Sequence, residues 1–115
     1  MKKIIFITAL LSSTLTLLGV SAMGAKLAKL ENARVKVSEM VYGPGVPRER
    51  YIRGADQVIV FLDDCRYRRI DSKTKEQTVR ERKSGEVIWH NKGEDAPVLI
   101  NLGSKPYRTI VIELK

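Results

Sequence analysis

The chain has 115 residues, of which 43% are hydrophobic and 30% charged, and it carries a formal net charge of +8 at pH 7. This length and composition are typical of one folded globular domain and exclude a two-domain enzyme. The single cysteine, Cys65, and the single histidine, His90, exclude an internal disulfide and a structural zinc site built from Cys and His.

The first 22 residues have the layout of a secretory signal peptide. Two lysines precede an uncharged apolar run over residues 4–20, and the small residues Ser21 and Ala22 follow it. We expect cleavage after Ala22, with Gly24 and Ala25 as the next candidates. The alternative is an uncleaved anchor helix, because the run approaches the length that spans a bilayer. The chain is therefore predicted to be exported, to the periplasm or out of the cell.

Residues 23–33 are predicted to form an N-terminal arm. Lys26 to Asn32 is compatible with a helix but is too short to be stable alone in water.

From Arg34 onward the pattern changes to short β-rich runs separated by turn residues. This spacing is typical of all-β sandwiches and barrels, and such a sheet must close to protect its edges. We therefore predict an all-β fold for residues 34–115, a single-domain jelly-roll barrel. The predicted strands are Arg34–Val37, Gln57–Leu62, Arg66–Ile70, Thr78–Glu81, Val87–Trp89, Val98–Asn101 and Thr109–Leu114.

The order of these turns and strands resembles the cupin superfamily, in particular its small single-domain members. The resemblance is carried by Pro44-Gly45, which opens a loop before a strand, by Gly85 to His90 followed by Gly93, by Asn101-Leu102-Gly103, and by the closing strand. Glycine permits the positive φ that such turns need, and a Pro-Gly pair favours a sharp chain reversal.

The positions that hold a metal in cupins carry other residues here. In the first cupin motif a glycine is followed by His-x-His and a glutamate, and counting from Gly45 places Tyr51, Arg53 and Gln57 at those positions. In the second motif the histidine position falls at Ala96 or Pro97. Because arginine has no lone pair to offer, we expect no metal and no other cofactor.

The resemblance implies that Tyr51, Arg53 and Gln57 line the barrel. Arg53 then has two interpretations, a grip on the carboxylate of a ligand, assisted by Tyr51 and Gln57, or an internal ion pair with Asp56 or Glu94. In the second interpretation, the ion pair fills the space that a metal would occupy.

His90 is the fourth candidate ligand-binding residue. It is either a general base oriented by Glu94 or Asp95, a pairing that resembles metal-independent cupin epimerases, or a histidine hydrogen-bonded at the surface. Its neighbour Trp89 is predicted to belong to the core.

The charge pattern and the lone cysteine bear on partners. Basic clusters at residues 48–53, 66–69 and 80–83 are interleaved with acids, which favours a solvated sheet face over contact with an anionic envelope surface, and export disfavours nucleic acid. Cys65 is either a buried small hydrophobe or a thiol that pairs between chains. We expect a homodimer formed through strand edges near Cys65.

Since no catalytic constellation is complete, the sequence predicts a metal-free cupin-like binding or structural module that holds a small acidic ligand. The alternative is a metal-independent isomerase-like or epimerase-like enzyme that uses His90 or Tyr51.

Overall fold

The computed structural model describes residues 25–115, so the predicted signal peptide lies outside the described residues. The described chain is all β and forms eleven strands. They are β1 (Ala25–Glu31), β2 (Val35–Tyr42), β3 (Pro47–Arg48), β4 (Tyr51–Ile52), β5 (Asp56–Phe61), β6 (Cys65–Ile70), β7 (Gln77–Arg82), β8 (Val87–His90), β9 (Asp95–Ala96), β10 (Val98–Asn101) and β11 (Tyr107–Leu114). Between residues 25 and 115 no helix is long and apolar enough to cross a membrane.

The strands form two facing sheets and a short two-stranded ribbon. The first sheet has five strands in the order β1-β2-β11-β5-β8, and the second has four in the order β3-β10-β6-β7. β4 and β9 pair with each other in a separate two-stranded ribbon. The predicted all-β fold is confirmed, and every predicted strand is present.

The core lies between the inner faces of the two sheets. β5 alternates partly buried and buried positions, so Ile59 and Phe61 point inward, where they meet Tyr67, Tyr107 and Val111. Three tyrosines stack there, with ring centroids 4.7 Å apart for Tyr42 and Tyr107 and 6.2 Å apart for Tyr67 and Tyr107. This aromatic stack forms the apolar floor of the barrel.

Asn101 holds the two loops that close one end of the barrel. It is buried, and its side-chain amide donates hydrogen bonds to the carbonyl oxygens of Tyr42 at 3.0 Å and Lys105 at 2.8 Å. Its backbone carbonyl oxygen accepts from the N–H of Gly45, which has a positive φ of 72°. The Gly45 and Asn101 loops of the resemblance therefore meet in space.

Within the predicted N-terminal arm, Lys26 to Asn32 lies almost entirely in strand β1, because pairing with β2 supplies the backbone hydrogen bonds that a short isolated helix lacks. The expectation of a free strand edge near Cys65 is wrong. Cys65 does not lie at an edge, because β6 pairs with β10 on one side and β7 on the other. Its thiol is partly buried against the core, and burial raises its pKa to about 11.

Candidate functional site

The backbone of Arg53 is clamped from both sides. Its N–H donates to the carbonyl oxygen of Glu94 at 3.0 Å, and its carbonyl oxygen accepts from the N–H of Gly93 at 2.8 Å. These two bonds extend the pairing of β4 with β9 and turn the side chain into the molecule, where Arg53 is only 3% exposed.

The guanidinium of Arg53 contacts neutral groups. Its Nη1 donates to Oε1 of Gln57 at 2.7 Å and to Oη of Tyr51 at 3.3 Å, and its Cζ lies 5.6 Å from the centre of the Tyr51 ring. The structure thus brings together three of the four residues that the sequence nominates.

The alternative in which Arg53 forms an internal ion pair is wrong. Within residues 25–115 no carboxylate oxygen forms a salt bridge with it. Asp56 accepts instead from the N–H of Lys92 at 2.8 Å, and Glu94 is engaged by His90. The Nε of Arg53 is buried without a hydrogen-bond partner, and burial lowers the pKa of the group. The Arg53 guanidinium is therefore a buried cation with one N–H donor that no protein group uses in the described chain.

Arg48 on β3 is a second guanidinium beside the first. It donates to the carbonyl oxygen of Pro97, and its Cζ lies 5.4 Å from the centre of the Tyr51 ring. Its Nε is also buried, with no hydrogen-bond partner among the described residues. Its positive charge lowers the pKa of Arg53 further. Two cations therefore flank one tyrosine ring, an arrangement that cation–π attraction stabilises only in part.

His90 is oriented by Glu94, as the enzyme hypothesis expects. Nδ1 of His90 lies 3.0 Å from Oε1 of Glu94, whose other oxygen accepts two bonds from Asn91 at 2.9 Å each. Hydrogen bonds from the Asn91 backbone N–H and from His90 lower the pKa of Glu94 to about 2, so the carboxylate is ionised and the proton between the pair sits on Nδ1. Nε2 is then the free acceptor of neutral His90. Burial first and the charge of Arg53 second lower the pKa of His90, against the raising effect of Glu94.

These residues line two adjoining cavities. The first, about 170 Å³, is lined by Arg53, His90 and Glu94 together with the aromatic floor. The second, about 400 Å³, is lined by Tyr51 and Gln57. Arg48 lines both, and the Arg53–Gln57 hydrogen bond runs between them. Tyr51 is 40% exposed, so it lies at a rim rather than deep in the barrel as expected.

The residues at the cupin ligand positions do not fit a metal. The one amide oxygen among them, Oε1 of Gln57, already accepts from Arg53, whose positive charge would repel a cation. Ala96 offers no donor, and no group of three His, Cys, Asp or Glu converges anywhere between residues 25 and 115. We therefore derive no metal chemistry from this site.

Sequence reasoning missed most of the cationic lining. Arg69, Arg80 and Arg82 also line the first cavity, although the charge pattern favours a solvated face for their clusters. Strand alternation is the signal that could have identified them, because every second residue of a strand faces the same side of the sheet. Conversely Trp89, predicted to be in the core, is 50% exposed because its neighbours Ile88 and His90 face inward.

Comparisons with known proteins identify the architecture. No protein-family model matches the sequence, and no curated protein matches it significantly. Solved structures do: a cupin domain from Bordetella pertussis Tohama I is 20% identical with a TM-score of 0.71, covering 80% of this chain and 93% of that one. A protein with a double-stranded β-helix domain from Klebsiella pneumoniae is 14% identical with a TM-score of 0.64, covering 83% and 79%. The polyketide cyclase of Streptomyces resistomycificus is 16% identical with a TM-score of 0.58, covering 72% and 56%. Identities this low show a shared fold and carry no activity across.

Proposed function

We propose that this chain, a small protein of the cupin fold, is a metal-free binding module that holds a small acidic ligand in its barrel, with Arg53 as the anchor. The observation that carries the proposal is the buried guanidinium of Arg53, which has neutral partners and an unused Nε donor. A buried charge without a counter-ion is unfavourable, and a carboxylate would offset that cost while accepting the spare hydrogen bond.

The surroundings favour an anion of modest size. Arg48 adds a second guanidinium with a spare Nε, while Phe61 and Tyr107 give the cavity an apolar wall. A ligand with a carboxylate at one end and a short apolar body suits such a lining. Tyr51 and Gln57 hold Arg53 in place from the neighbouring cavity.

The first prediction tests the anchor by calorimetric titration of the mature protein with propionate and related small carboxylates. A guanidinium-to-carboxylate bond in a partly dry site contributes about 1.5–3 kcal/mol, so Arg53→Ala should weaken binding about 10- to 100-fold while the protein stays folded. Arg108→Ala is the matched control, because Arg108 is an exposed arginine that pairs with Asp63 on the surface.

Thermal melts of the same proteins give the structural cost of the substitution. Arg53→Ala leaves Oε1 of Gln57 buried and unsatisfied whether or not a ligand binds, which costs about 1–3 kcal/mol of stability. Loss of stability in the variant, together with no carboxylate binding by the wild type, would contradict the proposal.

An enzyme of the metal-independent type is the second candidate, favoured by the His90–Glu94 pair at 3.0 Å on the wall of the same cavity. Nε2 of neutral His90 would accept a proton from a carbon next to a ligand carboxylate held by Arg53. Exchange of that proton for deuterium in D₂O, absent in His90→Gln, would support this candidate.

We also propose an exported homodimer, formed through the outer face of the five-stranded sheet. Because Ile88 and His90 face the cavity, Val87 and Trp89 face outward, and the strand registers align them with apolar residues of the other strands. One row across the sheet is Trp89, Val58, Ile112, Val37 and Leu30, and the next is Val87, Val60, Ile110, Glu39 and Leu27.

A second copy of the chain is the occupant that this face suits. Its one carboxylate in those rows, Glu39, is paired with Lys29 at 3.1 Å, so the face is close to neutral although the chain is basic. Strand spacing and length give a face of about 600 Å² per copy, which reaches the lower end of specific interfaces when doubled. Two copies can therefore meet there without bringing their excess positive charges together.

A further inference from the structure

The first cavity carries more positive charge than one carboxylate would balance. Five arginines line it, and its lining contains only two acids, Glu94 and Asp95. Both acids are engaged elsewhere, Glu94 with His90 and Asp95 with Arg50 and Ser72.

Only one of the five arginines has an acidic partner. Nη1 of Arg82 lies 3.4 Å from Glu86, whereas Arg48, Arg53, Arg69 and Arg80 form no salt bridge with any residue in the described part of the chain. The excess charge is therefore not neutralised by the protein itself.

The strand registers divide these cations into two groups. Arg48 on β3 and Arg69 on β6 are both paired with Leu99 of β10, so they stand on either side of one strand. Two strand spacings separate their Cα atoms, about 9–10 Å. Arg53 lies on the Arg48 side, since both guanidinium groups lie against the Tyr51 ring, with Cζ atoms 5.6 and 5.4 Å from its centre. Arg80 on β7 is paired with Tyr67 of β6, two residues before Arg69. Arg80 therefore belongs with Arg69, on the side of β10 away from Arg48.

We propose that the ligand carries two separated carboxylates, one held by Arg53 and Arg48 and the other by Arg69 and Arg80. This rests on the proposed function and names the class of its ligand, a short aliphatic dicarboxylate. Leu99 lies between Arg48 and Arg69, and the aromatic floor lines the same cavity, so both suit the methylene chain. The open side of the second group, where Arg80 is exposed on the edge strand β7, gives the ligand a way in.

The test compares propionate with succinate, glutarate and adipate in calorimetric titrations of the mature protein. The best dicarboxylate should bind at least about 10-fold more tightly than propionate, since each charged pair adds a hydrogen-bonded contact. Arg69→Gln and Arg80→Gln should each weaken the dicarboxylates more than propionate and so reduce that preference. Arg66→Gln is the matched control, because Arg66 is on the same strand as Arg69 but pairs with Glu81 on the outside.

The outcomes separate this inference from the function on which it rests. If propionate binds in a manner that needs Arg53 but no dicarboxylate is preferred, the anion site stands and the second group is overturned. The second group is likewise overturned if Arg69→Gln weakens propionate and dicarboxylates equally. An equal effect would mean that Arg69 acts only through the general positive potential of the cavity and contacts no second carboxylate. If Arg53→Ala leaves propionate binding unchanged, or if the wild type binds no carboxylate, the proposed function itself fails.

Discussion

At the scale of single residues, the site is governed by competition around the His90 ring. Glu94 stabilises the charged imidazolium through the 3.0 Å hydrogen bond, whereas burial and the neighbouring Arg53 disfavour it. The balance lowers the pKa of His90, so the ring is neutral at pH 7 and Nε2 is available as an acceptor.

This competition can be measured by NMR titration of the His90 ring. Arg53→Gln should raise the pKa of His90 because it removes a nearby positive charge, and Glu94→Gln should lower it because it removes the stabilising carboxylate. Asp64→Asn serves as the control, since this acid binds the Ser84 N–H at the loops between β5 and β6 and between β7 and β8. Shifts of the same sign in the two test variants would contradict the arrangement.

The same groups set the direction of the pH dependence of stability. Below about pH 6.5 the unfolded chain protonates its histidine before the folded protein does, so the free energy of unfolding falls as the solution is acidified. Glu94, whose pKa is also lowered, adds to this loss at more acidic pH, below its ordinary value.

At the scale of elements, the turn between β7 and β8 joins the two sheets. Among the described strands, β7 pairs only with β6 and β8 only with β5, so this turn carries the chain from one sheet to the other. Gly85 has a φ of 91° there, and its N–H donates to the carbonyl oxygen of Phe61 at 2.7 Å. A residue with a Cβ is strained in this conformation.

Gly85→Ala should therefore lower stability by about 1–2 kcal/mol, which corresponds to a fall in Tm of roughly 4–15 °C in a domain of this size. An ideal Cβ at Gly85 meets no atom within 4 Å, so the loss would come from backbone strain alone. Gly54→Ala is the matched control, because that glycine also has open space but no positive φ. Equal melting temperatures for the two variants would overturn the assignment of strain.

At the scale of the whole molecule, the outer face of the five-stranded sheet and the cavity are opposite sides of the same strands. β8 shows this directly, since His90 faces the cavity while Trp89 is half exposed on the other side. A partner on the outer face would cover Trp89 and leave the cavity open.

We expect a dimer at high micromolar concentration in light scattering, with and without reductant. Trp89→Lys should yield a monomer, because a charge buried within an apolar contact is left unpaired and desolvated. Val79→Lys is the control, since Val79 is 48% exposed on β7 of the other sheet. A wild-type monomer, or a dimer that survives Trp89→Lys, would overturn this interface.

By itself, the sequence determined the β architecture, because alternation and turn residues are local signals. Val58 to Leu62 and Thr109 to Leu114 read as strands without any partner in view, and the glycine positions identified the cupin resemblance. That resemblance also implied that Arg53, Gln57 and Tyr51 share one site, because they occupy the ligand positions of its first motif.

Only the tertiary structure decided what those residues contact and what else surrounds them. Whether Arg53 meets a carboxylate depends on where Asp56 and Glu94 are drawn by Lys92 and His90, and no local pattern contains that choice. The side on which Arg69 faces is set by its register with Leu99, which depends on a strand about thirty residues away in the chain. Strand β1 likewise exists because β2 offers an edge to pair with, so a segment of weak local preference takes its form from its neighbour.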